Sequence, residues 1–323
     1  MKTPIRFLAG CMLALGALGP GAQAFAAGYP DRPIRLIVPT SPGSTADVVA
    51  RVVAENLGKT LAQPLIVENL AGAAGIPGTR QLVAAKPDGY TLAIVSSNHA
   101  INPSLYKTMP YDSVKDVTPI SVIGTTPLVM VAAESSPYRS IGELLAAARA
   151  QPGKINYGSS GSGSVLHLAG ELLKSRAGVD MMHIPYRGGN ALITDVMSGQ
   201  IQVAFTELAT SLGHVKSGQV RALAVTTQKR VDVLPDVPAL NEFIPGFEAS
   251  QWIGLVGPKG TPPAVVERLN AEINAGLADR TIQARFADLG ASVLPGTADA
   301  FGQFIRDETA KWGKVIKAAN IKI

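Results

Sequence analysis

The stretch Asn156–Glu171 constrains this chain more than any other. Ile155, Asn156 and Tyr157 end a strand candidate, and the uninterrupted Gly/Ser run Gly158–Ser164 follows. Val165, Leu166, Leu168, Leu172 and Leu173 then recur at helical spacing. A strand, a turn of small residues and a helix start bring backbone N–H groups and hydroxyls together where an anion can sit. The plain alternative is a flexible linker, but ordinary linkers do not lie tightly between a strand and an amphipathic helix. A second segment has the same build: strand Pro33–Val38, turn Pro39–Asp47, then helix periodicity from Val48 to Leu61. Two such loops facing each other make a cleft for a small anion.

Before the first loop, Lys2 and Arg6 precede an apolar run from Phe7 to Leu18 and small residues through Ala27. This is the pattern of a secretory signal peptide over residues 1–26, too short in its apolar part to span a bilayer. Leu8-Ala9-Gly10-Cys11 also has lipobox spacing, although the apolar run continues past it. Cleavage after the signal removes Cys11, the only cysteine, so the exported chain depends on a large apolar core and not on disulfides. It also removes two of the positive charges behind the net +5, leaving a mildly basic protein without a Lys/Arg run. Nucleic acid is therefore not an expected partner, and no later apolar stretch reaches membrane-spanning length.

Strands and helices alternate along the rest of the chain. Strands are expected at Pro64–Glu68, Tyr90–Val95, Ile120–Ile123, Leu128–Ala132, Met181–Ile184, Gln202–Phe205, Arg221–Val225 and Trp252–Val256. Helices are expected within Gly72–Ala85 and at Ile141–Ala150, Ala191–Met197, Pro263–Leu277, Arg280–Leu289 and Ala298–Ala319. The pattern predicts an α/β fold of two lobes joined by two crossings, a hinged clamshell. Residues 27–125 and 248–323 form one lobe and 126–247 the other. Ser96-Ser97-Asn98-His99 follows a strand end, where α/β sheets place ligands. Ser97 and His99 are thus candidates for the cleft wall, or His99 is a hydrogen-bonded residue that fixes the loop.

Catalytic patterns are near misses. Gly158-Ser159-Ser160-Gly161-Ser162 lacks the final Gly of a serine elbow, and no Lys follows Gly163 as a phosphate loop requires. Gly161-x-Gly163 lacks the third Gly of a dinucleotide fingerprint. The four histidines, His99, His167, His183 and His214, form no His-Glu-x-x-His pattern. His167 and Glu171, four apart on a helix, fit a local pair better than a metal site. No catalytic residue, cofactor or metal site is expected.

Several ordered segments carry a resemblance. They are Tyr29-Pro30, Pro42-Gly43 with Asp47, Val67-Glu68-Asn69, Pro87-Asp88-Gly89-Tyr90-Thr91-Leu92 and Asn102-Pro103-Ser104-Leu105-Tyr106. Further along come Tyr157-Gly158-Ser159-Ser160-Gly161 with His167–Glu171, Pro185-Tyr186-Arg187-Gly188, Arg221–Thr226 and Leu234-Pro235-Asp236-Val237-Pro238. The chain resembles the Bug-family extracytoplasmic receptors of tripartite tricarboxylate transporters over nearly its whole mature length. The resemblance implies a two-lobed periplasmic binding protein of type II α/β fold that closes over a small organic carboxylate and delivers it to a membrane permease; the protein is expected to be a monomer. It implies a site built from Ser41, Gly43, Ser44, Thr45 and Asp47 on one side and Ser160, Ser162, Gly163 and Ser164 on the other. Asp47 is expected to shape its loop.

Two departures stand out: Ser44 replaces a Gly common in the family, and Arg187 replaces a Lys after Tyr186. Arg187 offers a bidentate carboxylate contact or is a solvated cation. Glu207, after the strand ending at Phe205, repels a second carboxylate if it faces the ligand. Asp195 is expected to be an exposed helix charge or a partner within its lobe. A receptor feeding a sensor kinase, uptake of an amino acid or amide, and a secreted hydrolase using Ser160 or Ser162 are the alternatives.

Overall fold

A computed structural model describes residues 28–186, 188–288 and 290–322; the signal-peptide reading and Arg187 lie outside them. The first strands, β1 (Ile34–Val38), β2 (Leu65–Asn69) and β3 (Thr91–Ser96), pair in parallel around β1. Helices α1 (Thr45–Thr60) and α2 (Ile76–Val83) make the crossovers. Burial of β1 and β3 on both faces explains why their sequences are almost continuously apolar. Helix α3 (Ser97–Leu105) then starts directly at the end of β3. The expected loop at Ser96–His99 is therefore a helix start, hidden from periodicity because its buried face includes Ser97, His99 and Asn102.

Strand β4 (Val117–Ala133) joins the two halves of the molecule. The sequence suggests two strands here, split by polar Gly124-Thr125-Thr126-Pro127, but they form one strand with register shifts between Pro119 and Ser121 and between Val122 and Gly124. Helix α4 (Ile141–Ala150), strand β5 (Asn156–Ser159), helix α5 (Val165–Ala177), strand β6 (Met182–Pro185) and helix α6 (Gly189–Met197) follow. Next come β7 (Val203–Glu207), α7 (Leu208–Lys216) and β8 (Val220–Val225). Strand β9 (Ser250–Pro258) returns to the first half, followed by α8 (Pro263–Leu277), α9 (Arg280–Asp288), β10 (Ser292–Val293) and α10 (Ala298–Ala318).

The strand order is β2-β1-β3-β9-β4-β7-β5-β6, with β8 and β10 also paired to β4. Along β4, Val117–Pro127 pairs antiparallel with β9, whereas Leu128–Ala132 pairs with β7. Thr226, fully buried, ties the two crossings together. Its hydroxyl donates to the Ala249 carbonyl (2.6 Å), accepts from the Leu128 N–H (3.2 Å) and lies 3.1 Å from the Leu128 carbonyl. The largest apolar cluster runs through this crossing, from Ile37 and Val95 past Trp252 and Phe301 to Leu168 and Phe205. Helix α10 packs on α3, β4 and α5, so it touches both halves. Among the described residues no helix is long and apolar enough to cross a membrane.

Candidate functional site

Both Gly/Ser-containing turns owe their shape to glycine and to capping. Gly43 (φ 80°), Gly161 (φ 131°) and Gly163 (φ 78°) adopt backbone angles that side chains disfavour. Ser44 caps α1 by accepting from the Asp47 N–H, and Ser164 caps α5 by accepting from the His167 N–H. The Ser44 hydroxyl also donates to Thr40 (2.8 Å), and the Ser164 hydroxyl to the Gly161 carbonyl (2.8 Å). Asp47 is buried under its own loop, accepting from the Gly43 N–H, Asn69 and Arg51. Burial alone would push its carboxyl up, but these bonds hold it below the usual range. Asp47 shapes the loop and is closed off from a ligand.

The turns meet at a cavity of about 370 Å³. Thr40, Gly43, Ser44, Thr45 and Ala46 line one side, and Ser160, Leu166, Gly189, Leu192, Thr206, Glu207 and Thr210 the other. Gln251 and Ile253 of β9 complete the lining, where the strands cross between halves. Four helices present their first residues to this space: α1 with Thr45 and Ala46, α5 with Leu166, α6 with Gly189, and α7 with its cap Glu207 and Thr210. The first N–H groups of a helix have no acceptor within it, and each such end carries roughly half a positive charge. Among the described lining residues no side chain is Lys, Arg or His. Chemically, the arrangement suits an anion, which backbone dipoles and hydroxyls can hold without a cationic side chain.

Glu207 is the charged side chain among these described lining residues. Burial pushes its carboxyl above the usual range, and the Thr45 hydroxyl, across the cavity, offsets only part of that shift. Tyr186 stands behind the second turn; its hydroxyl donates to Asp195 (2.8 Å), and burial with that carboxylate pushes it up to about 12. Asp195 is thus a partner within its own half. Ser162 is exposed and does not line the cavity. The Gly163 N–H donates to His167 Nδ1 (3.0 Å), so it shapes the turn and is not free for a ligand.

Two further candidates belong elsewhere. Ser97 is fully buried, accepting from the Trp252 N–H and donating to the Ser250 carbonyl, so it locks β9 to α3 and does not form cleft wall. His99 is also buried; Nε2–H donates to the Ser113 carbonyl (2.7 Å), and burial lowers its pKa to about 4. It lines a neighbouring cavity of about 280 Å³ together with Ser41, and the two cavities share Thr40.

Beneath the second turn lies a packed polar group. The rings of His167 and His183 stack at 3.7 Å, and Ser159 Oγ bonds His183 Nε2 at 2.7 Å. Glu171 accepts from the Tyr157 hydroxyl (2.7 Å) and Lys174 (3.0 Å), while His167 Nε2 lies 3.9 Å from it. His167 and Glu171 are thus neighbours, as their spacing predicts, but with the ring neutral and 3.9 Å between them they form no ion pair. Because the Ser164 hydroxyl is occupied in capping, Ser164→Ala is expected to cost about 1 kcal/mol of stability and to change ligand affinity less than threefold. Urea unfolding and calorimetry check the two halves of that statement.

Sequence reasoning overlooked Thr40, Leu192, Thr210 and Gln251. Thr210 lies on the unrecognised helix α7. Gln251 carried a signal, a large polar residue opening an apolar strand whose following residues are buried.

Comparison with known proteins places this architecture. The family model described as "Tripartite tricarboxylate transporter family receptor" matches residues 49–321. Protein BugT of Bordetella pertussis is 36% identical over 321 residues, covering 98% of this chain and 98% of that protein. The periplasmic binding protein BugD superposes with a TM-score of 0.76 at 35% identity, over 91% of this chain and 100% of its own. A protein of R. palustris solved with adipate gives a TM-score of 0.79 at 32% identity, over 91% and 100% of the two chains. MatC of Rhodopseudomonas palustris, solved with bound malate, gives 0.75 at 29%, over 89% and 100%. With a family match over most of its length and relatives of this identity, the chain belongs to the tripartite tricarboxylate transporter family receptors, the Bug proteins.

Proposed function

We propose that the chain is an exported, periplasmic receptor that captures a small organic carboxylate in the cavity between its halves and delivers it to a membrane permease. The observation that carries this reading is the convergence of four helix N-termini on one cavity whose described lining contains no cationic side chain. Backbone N–H groups, the Ser160 hydroxyl and bridging water hold the carboxylate. The adipate- and malate-bound relatives support the ligand class. Residues 27–125 with 248–323 form one lobe and 126–247 the other. The ligand touches both and favours the closed arrangement by its greater affinity for it. The receptor acts as a monomer.

Capture involves no bond-making. The serine that meets an imidazole, Ser159, is itself fully buried against the half-buried His183 and is out of reach of a substrate. Ser160, which lines the cavity, has no histidine among the described lining residues to activate it. A calorimetric titration of the mature protein with short mono- and dicarboxylates tests the reading. Saturable binding of a carboxylate without turnover is expected; a panel of carboxylates that produces no heat with folded protein contradicts it.

A further inference from the structure

Glu207 sits in an anion-binding cavity, where a carboxylate is the side chain least suited to receiving an acidic ligand. It caps α7 through its backbone only, so its side chain has no capping role at its own helix end. Its side chain instead contacts Thr45 at the start of α1, across the cavity. Gln251 lines the same space, and its Oε1 is buried without a hydrogen-bond partner among the described residues. A carboxylate and an unpartnered amide oxygen therefore lie at the edge of a cavity otherwise built to supply donors. A buried acceptor left without a donor is costly, so a matching ligand brings one. Two desolvated carboxylates close together do not both ionise readily.

We propose that Glu207 and Gln251 set the specificity of this receptor: its ligand carries one carboxylate and, near it, a hydrogen-bond donor such as an ammonium, hydroxyl or amide. This inference rests on carboxylate capture and narrows it to amino- or hydroxy-acids over dicarboxylates. The carboxylate takes the helix N-termini. The donor faces Glu207 and Gln251, while Leu166, Leu192 and Ile253 cover the carbon chain between them. A site built around acceptors rejects an analogue that lacks the donor more strongly than one that differs by a methylene.

Calorimetry with two matched sets of acids tests the assignment. One set is propionate, lactate, alanine and malonate; the other is butyrate, γ-hydroxybutyrate, γ-aminobutyrate and succinate. The wild-type protein is expected to bind a donor-bearing member at least about tenfold more tightly than the plain acid or the diacid of its set, a gap of about 1.4 kcal/mol. Glu207→Gln, which keeps the shape and removes the charge, is expected to shrink the gap to the diacid below about threefold. Gln251→Leu, which leaves the charge, is expected to weaken the donor-bearing acid at least about fivefold more than the plain acid of its set. Wild-type preference for the diacid in both sets, or a preference that survives Glu207→Gln, overturns the assignment and leaves carboxylate capture standing. No binding of any member by protein folded by circular dichroism overturns both.

Discussion

Replacing Gly170 with Ala is expected to destabilise the protein by about 3 kcal/mol or more. Gly170 lies on the buried face of α5, and a Cβ there would sit 2.1 Å from Cε2 and 2.5 Å from Cζ of Tyr157. That ring cannot yield. Tyr157 is fully buried, its hydroxyl holds Glu171, and its ring packs against His183 at 5.1 Å and Phe205 at 6.1 Å. Either α5 moves away from β5 or the tyrosine leaves its pocket, and each breaks the polar group under the second turn. Gly213, on α7, is the control: a Cβ there meets nothing within 4 Å. Gly213→Ala should be neutral or stabilising by up to about 1 kcal/mol, through helix propensity. Urea unfolding of both variants decides the matter. A Gly170→Ala loss below about 1 kcal/mol would mean that the α5–β5 contact is looser than described.

The second large effect is loss of stability in mild acid. His99, His167 and His183 each have a pKa lowered from 6.5 to about 4, mainly because burial disfavours the charged ring. The sign follows from which state takes up the proton. Below about 6.5 the unfolded chain protonates these residues while the folded protein does not, so unfolding binds protons and gains free energy. Their contribution is intact above about 6.5, declines as pH falls, and is fully lost near 4.

For His99, with its Nε2–H fixed on the Ser113 carbonyl and Tyr111 stacked beside it at 6.2 Å, the loss is roughly 3 kcal/mol. His167 and His183 face each other at 3.7 Å, with Lys174 nearby opposing and Glu171 favouring protonation of His183, so they add to the loss as a coupled pair. Protonating His167 Nδ1 would also remove the acceptor of the Gly163 N–H and loosen the turn at the cavity. Urea midpoints measured from about pH 7.5 down to about pH 4.5 should fall steeply across this range. His99→Met should be less stable at neutral pH but show a flatter slope. A midpoint constant over the interval would contradict the buried, neutral assignment.

The architecture was legible where periodicity is strong. Val48–Leu61 and Pro263–Leu277 announce helices by spacing, and the apolar runs at Ile34–Val38 and Trp252–Val256 announce buried strands. Helices α3 and α7 escaped because their buried faces carry Ser97, His99 and Asn102 in one and Ser211 in the other, so the apolar repeat is broken where the polar contacts form. The continuity of β4 through Gly124–Pro127 was equally hidden; its polar middle is stabilised by pairing with β9, a partner more than a hundred residues away.

At the site, the composition of the two turns located the cavity but not the task of each hydroxyl. Ser41, Ser44, Ser160, Ser162 and Ser164 are alike in sequence. Only the packed chain separates caps (Ser44, Ser164) from cavity lining without a cap bond (Ser160) and from a serine in the neighbouring cavity (Ser41). Gly163 likewise gives its N–H to a histidine four residues on. Capping geometry and a remote ring nitrogen decide such roles, and neither is local to the motif.

The most direct test of the central claim fills the cavity. Ser160 lines it without serving as a helix cap, so Ser160→Trp places an indole in the space of about 370 Å³ without removing a cap. The carboxylate bound most tightly by the wild-type protein is titrated into this variant in a calorimeter, after its unliganded melting temperature has been shown to match. Wild-type protein at a hundred times the dissociation constant should gain about 2.7 kcal/mol from the ligand. Loss of at least about a hundredfold in affinity in the variant is the predicted result; undiminished binding by Ser160→Trp would show that the carboxylate is held elsewhere.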